Sequence, residues 1–328
     1  MAEKKYFIGV DIGGTKCAVI LAGGEGDSFS ILQRRQFKTL SCAETLAKFF
    51  ELIGEILAER GLKNADVASV GISCGGPLDS KRGVIMSPPN LIGWDNIEIV
   101  KIFAEKMGVR AFIQNDANAC ALAEWKFGAG RGTRNMVFMT FGTGLGAGLV
   151  LNGRLYDGTN GNAGEVGHIR LENFGAVGYG KRGSFEGFCS GSGLAQAGRV
   201  KAMELFQSGK KCAFCPDMSA LGEISAKSIA DAADAGDEAA REIYRESGEY
   251  LGRGVSVLID ILNPERVVIG SIYERSENLL APAMNAEIAK EALGISAAVC
   301  KVVPAELGNS IGDYAAISVA IEGFNGNL

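Results

Sequence analysis

Short apolar runs set off by glycine dominate the first third of the chain. Residues 6–11, 16–21 and 29–37 each have the β-branched and aromatic density of a strand, and glycine-bearing turns separate them. From residue 43 the period changes. Leu46, Phe49, Phe50, Ile53 and Leu57 recur at helical spacing, which predicts an amphipathic helix over 43–60, and Gly61 follows where a glycine commonly stops a helix. Residues 67–73 and 110–113 read as buried strands with a helix over 97–107 between them. Residues 116–127 read as a helix that opens on a carboxylate, Asp116.

The opening pattern then returns. Residues 6–21 are strand, glycine turn, strand. Residues 135–141, Gly142-Thr143-Gly144 and residues 145–151 repeat that order about 130 positions on, and Asn152-Gly153 supplies a hairpin turn. Two copies of one β-turn-β device predict two lobes of similar topology, with chance similarity between glycine-rich stretches as the alternative. The second half is more helical, at 191–206, 225–235 and 238–262, the last stopped by Asn263-Pro264. A short strand over 266–269 leads to Gly270. The final helix, over 311–322, is expected to fold back onto the first lobe.

Composition narrows the class. The chain has 328 residues, 47% of them hydrophobic, enough for a large two-lobed core. Its 46 glycines are roughly twice the usual share, which marks tight turns and close backbone approaches. A formal net charge of −5 gives no global basic field, so neither nucleic acid nor an anionic membrane is expected as a partner. Met1–Lys5 leads directly into the first strand, without the apolar core of a signal peptide, and no run is long enough to span a bilayer. Eight cysteines in mostly apolar surroundings read as reduced thiols of a cytoplasmic protein. The pair Cys212 and Cys215 lacks two ligands for a metal site and reads as incidental.

Candidate chemistry sits on the glycine turns and on a few polar residues. In Asp11-Ile12-Gly13-Gly14-Thr15-Lys16, two glycines let successive N–H groups converge on an anion, and Thr15 adds a hydroxyl. Asp11 is placed to hold Mg²⁺ through its water shell. An ordinary glycine hairpin is the competing reading. Gly142-Thr143-Gly144 precedes a strand rather than a helix, so a phosphate-gripping hairpin fits it better than a dinucleotide turn. Asp116, at a helix start, is suited to accept a proton from a sugar hydroxyl during phosphoryl transfer, against the plain alternative of a helix N-terminal carboxylate. Glu165 and His168, the only histidine, flank Gly167. With Glu186 they suit recognition of a polyol, although a lone histidine is often structural.

Together these stretches resemble the ROK family of bacterial hexokinases and sugar-responsive repressors, strongly over about 6–200 and loosely beyond. The carriers are Asp11–Lys16, Cys74-Gly75-Gly76-Pro77-Leu78-Asp79, Ser87-Pro88-Pro89-Asn90-Leu91-Ile92-Gly93-Trp94, Asn115-Asp116-Ala117-Asn118, Gly142-Thr143-Gly144 and Gly164-Glu165-Val166-Gly167-His168. The resemblance implies an α/β, actin/hexokinase-like (ribonuclease H-like) ATPase fold with duplicated β-sheet lobes and a central cleft. One lobe would hold 1–115 and about 306–328, the other 116–305. It implies that Asp11, Gly13, Gly14, Thr15, Lys16, Gly142, Thr143, Gly144 and Gly270 serve ATP and Mg²⁺. Gly76, Asn90, Asn115, Asp116, Glu165, His168 and Glu186 would line a sugar site, with Asp116 as base. At Gly270-Ser271 the family commonly has two glycines.

The implied activity is ATP-dependent phosphorylation of a hexose, glucose by default and at its 6-OH. N-acetylmannosamine, N-acetylglucosamine, fructose, allose or a β-glucoside are alternative acceptors, and a homodimer or homotetramer is the implied assembly. The family's repressors carry an amino-terminal helix-turn-helix, for which about five residues before the first strand leave no room, so a sugar-responsive regulator is the lesser reading. The family's zinc motif, Cys-x-Cys-Gly-x-x-Gly-Cys-x-Glu, is altered here: Val177, Tyr179 and Ser184 stand at its cysteine positions, while the glycines and Glu186 remain. No structural zinc is expected without thiolates. Tyr179 and Ser184 are expected to orient His168 by hydrogen bonds instead.

Overall fold

Strands buried on both faces should be almost uninterruptedly apolar, and the first strand, KYFIGVDI, shows why. A computed structural model describes residues 4–25 and 28–328. Met1, Ala2 and Glu3, on which the reading of the amino terminus rested, lie outside the described residues. In chain order the first strands are β1 (Lys5–Ile12), β2 (Lys16–Glu25) and β3 (Ser28–Lys38), followed by helix α1 (Cys42–Glu59). Next come β4 (Val67–Cys74), β5 (Leu78–Asp79), β6 (Val84–Ile85), α2 (Ile99–Met107), β7 (Ala111–Asn115) and α3 (Asp116–Phe127). The chain continues with β8 (Met136–Phe141), β9 (Leu145–Leu151), β10 (Arg154–Tyr156), β11 (Val177–Gly178), β12 (Lys181–Arg182), α4 (Phe185–Phe188), α5 (Gly191–Gln207), α6 (Ala226–Asp234) and α7 (Glu238–Leu262). It ends with β13 (Arg266–Ser271), α8 (Ile272–Arg275), α9 (Glu277–Glu291), α10 (Gly294–Ala297), β14 (Lys301–Pro304) and α11 (Ile311–Asn325).

Two five-stranded sheets share one plan. Their orders are β3-β2-β1-β4-β7 and β10-β9-β8-β13-β14. In each, the chain-order pattern is 3-2-1-4-5, with β1, β4 and β7 parallel in the first and β8, β13 and β14 parallel in the second. The repeated β-turn-β pattern of the sequence thus corresponds to a repeated sheet.

Two compact units divide the described residues. The first takes those up to Arg134, Gly148–Ala163 and Glu306–Leu328; the second takes Asn135–Ala147 and Gly164–Ala305. A boundary at 115/116 had been expected, and α3 instead falls in the first unit. The reason is packing: Ala119, Leu122 and Ala123 of α3 form one cluster with Ala315 and Val319 of α11.

In the first unit the sheet is covered on both faces. Ile8, Val10 and Ile12 pack with Phe49, Ile53 and Phe103 of α1 and α2. Phe7, Ala18 and Ile20 face the other way, onto Ala316, Ile317 and Ala320 of α11. That helix lies so close to β4 that Ser69 Oγ donates to the Ala320 carbonyl at 2.8 Å. A Cβ at Gly71 would stand 2.2 Å from both the Ala316 oxygen and the Ala320 nitrogen. Backbone cannot yield there as a side chain can. Gly71→Ala is therefore expected to destabilise the protein by about 1–3 kcal/mol or more; a denaturant midpoint equal to wild type would contradict this contact.

In the second unit α7 ends as expected, at Asn263 with φ +44° and Pro264 after it. Cys212 and Cys215 are buried, face one another across an isolated bridge and carry free thiols. Among the described residues no helix is long and apolar enough to cross a membrane.

Candidate active site

Parallel strands that end in register bring whatever follows them to one edge, the edge at which open α/β sheets bind ligands. In the first unit Ile12 is level with Cys74, and Cys74 with Asn115. Asp11, Gly75, Gly76, Asn115 and Asp116 therefore gather there. A Cβ at Gly76 would lie 3.3 Å from Asn115 Nδ2, and one at Gly75 would lie 3.9 Å from Asp116 Oδ2. Asn115 caps α3, its Oδ1 accepting from the Ala117 N–H at 2.9 Å. Asp116 Oδ1 accepts from the same N–H at 2.8 Å. The cap fixes the carboxylate's direction while leaving Asp116 exposed.

The first glycine turn is held from behind. Gly13 N–H donates to the Lys16 carbonyl at 3.2 Å, and Thr39 binds two turn carbonyls, its Oγ1 to Gly13 O at 2.6 Å and its N–H to Thr15 O at 3.1 Å. Gly14 lies against Asn90, whose carbonyl oxygen would be 2.6 Å from a Cβ there. Gly14, Thr15 and Lys16 face solvent. Asp11, behind the turn, has its pKa pushed up to about 6, first by burial and then by the negative charges of Asp313 and Asp116. Asp313 is itself paired with Arg34 at 2.8 Å. Sequence reading missed Thr39 and Asp313; no local signal marks a residue brought in from 300 positions away.

The second unit builds an equivalent edge. Phe141 and Ser271 are level at the ends of β8 and β13. The turn Gly142-Thr143-Gly144 closes through Gly142 N–H to Gly144 O at 3.0 Å. The start of α5 grips its carbonyls, Gly191 N–H to Gly142 O at 2.8 Å and Ser192 N–H to Thr143 O at 3.3 Å. Beside the turn opens a cavity of about 950 Å³, with Gly142, Thr143, Lys227, Asp231, Ser271 and Arg275 among its walls. Gly270, expected to contact nucleotide, is buried instead: a Cβ there would face Phe138 and Ala305. Ser271 is the wall residue.

Glu165 and His168 are both exposed on one tight turn, which lies against β9 through the Ala147 N–H to Gly164 O bond at 2.9 Å. Glu186, on α4, is tied to the glycine turn: its Oε2 accepts from Leu145 N–H at 3.0 Å. A Cβ at 144 would sit 2.7 Å from that oxygen, so a larger residue there would displace the Glu186 carboxylate. Glu186→Ala leaves the buried Leu145 N–H without this acceptor and is thus expected to destabilise the protein by about 1–3 kcal/mol. A denaturant midpoint equal to wild type would refute the tie to the turn.

At the altered metal motif, β11 and β12 form a hairpin whose turn residues Tyr179 and Gly180 have φ of +43° and +75°. The expected hydrogen bonds to His168 are not how this loop is held. Tyr179 meets the His168 ring edge-on, centroids 5.3 Å apart, and Lys181 Nζ donates to the His168 carbonyl. Ser184 caps α4 by accepting from Gly187 N–H at 3.2 Å, which positions Glu186 rather than His168. Gln196 pairs with both backbone groups of Val177, at 3.1 and 2.9 Å. Among the described residues no cluster of three or more His, Cys, Asp or Glu side chains is placed to hold a metal ion.

A family model described as ROK matches residues 7–322. The chain belongs to the ROK family. Among its relatives, the glucokinase of Halalkalibacterium halodurans is 32% identical over 284 residues, covering 85% of this chain and 84% of that protein. A ROK glucokinase from Streptomyces griseus, solved with glucose and AMPPNP, is 28% identical with a TM-score of 0.73, covering 97% of this chain and 100% of that one. A ROK transcriptional regulator, a homologue of the Escherichia coli MLC protein, is 26% identical with a TM-score of 0.81, covering 98% of this chain and 79% of that one. These likenesses carry the actin/hexokinase-like fold to the two-sheet chain described above.

Proposed function

We propose that this ROK protein is an ATP-dependent sugar kinase that phosphorylates glucose at its 6-OH, with Asp116 as general base. The observation that carries the reading lies within one unit: an exposed, cap-oriented carboxylate stands on the same strand edge as a backbone-braced glycine turn. An oriented carboxylate can accept the hydroxyl proton as the oxygen attacks phosphorus, and a turn of convergent N–H groups favours the phosphates. Asp116 takes the proton; Gly13, Gly14, Thr15 and Lys16 face the phosphates. Within the first unit Asn90, Asn115 and Gly76 are suited to bind sugar hydroxyls; within the second, Glu165, His168 and Glu186 are. Gly142, Thr143 and Gly144 serve the nucleotide whose base and ribose fill the neighbouring cavity.

Asp11 fits a role toward Mg²⁺, because burial among like charges raises its pKa to about 6 and a cation would relieve that cost. It would hold the ion through coordinated water. When bound with ATP, Mg²⁺ neutralises phosphate charge. Val177, Tyr179 and Ser184 do not fit a structural zinc, having no thiolate among them.

The relatives named glucokinase support glucose, and the sugar-side residues suit an unmodified pyranose. N-acetylmannosamine, N-acetylglucosamine, fructose, allose and a β-glucoside are competing acceptors. A non-catalytic regulator is the second reading, favoured by the fold match to a ROK regulator. Sugar-dependent ADP release across a panel of these acceptors tests both. The highest kcat/KM is expected for glucose; a higher value for another sugar would replace the acceptor, and sugar binding without ADP release would favour the regulator.

A further inference from the structure

A serine forced into backbone geometry that suits glycine needs a reason to be there. Ser271 is such a residue, with φ +63° and ψ −109°. For a residue with a Cβ this conformation is strained. No crowding accounts for it: the side chain lines the 950 Å³ cavity beside the second glycine turn, and its Oγ would be 3.7 Å from a Cβ at Gly142. Arg275, from the same wall, points Nη2 at Ser271 Oγ, 3.5 Å away.

The direction of that contact is decided by chemistry. A guanidinium only donates, so the Ser271 hydroxyl accepts from Arg275 and keeps its own proton for another partner. A hydroxyl polarised by a cation, beside a backbone turn suited to anions, is a donor to an anionic oxygen.

The geometry points to Ser271, oriented by Arg275, as a nucleotide-binding residue that donates its hydroxyl to the phosphate chain of ATP, its strained backbone being retained for that contact. This rests on the kinase reading above and deepens it, adding at the end of β13 a second hydroxyl beside that of Thr143 in the glycine turn.

Two variants separate strain from contact. Ser271→Gly removes both, whereas Ser271→Ala removes only the hydroxyl. Calorimetric titration with a non-hydrolysable ATP analogue and Mg²⁺ is expected to show binding weakened about tenfold or more in both variants. In the absence of nucleotide, Ser271→Gly should melt on the order of a degree or two higher than wild type and Ser271→Ala should not. Arg275→Ala is expected to weaken analogue binding as well. Wild-type affinity in both serine variants would overturn the assignment while leaving the kinase reading in place. A wild-type protein that does not bind the analogue at all would overturn the kinase reading, and this inference with it.

Discussion

Asp116→Asn is expected to lower kcat by about a hundredfold to ten-thousandfold, the range for losing a positioned general base. An amide has nearly the same shape and can keep the contact with the Ala117 N–H, so α3 and its cap should be undisturbed. Sugar and ATP affinity should therefore stay within a few-fold of wild type. That split, kcat collapsing while binding survives, is what distinguishes a base from a residue that merely shapes the site. Steady-state kinetics with calorimetric sugar binding measures it. A variant retaining most of its kcat would remove Asp116 from the mechanism.

The second large effect is expected at Asp11, where function and stability oppose one another. Its pKa is about 6 in the folded protein against an ordinary 3.8. The folded state thus holds this proton more tightly than the unfolded chain does. The associated stability is fully present below about pH 4 and is lost as pH rises through about 6. At neutral pH the ionised Asp11 costs about 1–3 kcal/mol, a cost that Asn does not carry. Asp11→Asn should accordingly melt a few degrees higher than wild type at pH 7.5, with the gain disappearing toward pH 4. Its ATP-dependent activity should fall at least about a hundredfold if Asp11 holds the magnesium water shell. Melting curves across pH, without nucleotide, test the first half; a variant less stable than wild type at pH 7.5 would contradict it.

Much of the fold was legible because its signals are local. β1 and β2 of the first sheet are apolar runs on either side of a glycine turn, and the repeated turn at Gly13 and Gly142 announced two sheets of one design. Asn152-Gly153 formed the hairpin its sequence demands, with φ of +55° and +75°. Helix α9 escaped notice although Leu280, Met284 and Ile288 are spaced for a buried stripe, because Pro282 and several alanines blur the pattern. The placement of α3 with the first unit was illegible for another reason. It depends on contacts with α11, and sequence periodicity shows which face is apolar but not what covers it.

The site divides in the same way. Asp116, Asn115 and the glycine turns could be placed at strand ends and a helix start because those positions have residue signatures. What braces them could not. Thr39 behind Gly13, Glu186 on the Leu145 N–H and Ser271 in place of Gly270 at the cavity wall are tertiary relations, fixed by register and approach distance. Ser184 shows the limit most clearly. It occupies a position expected to serve His168, yet its hydroxyl caps the helix that carries Glu186.

The decisive experiment follows phosphorus. Phosphorus NMR of the purified protein with ATP, Mg²⁺ and glucose should show the γ-phosphate resonance replaced, mole for mole, by a hexose 6-phosphate, with ADP accumulating and inorganic phosphate absent. Inorganic phosphate as the product, or ATP left intact with every sugar offered, would contradict phosphoryl transfer to sugar.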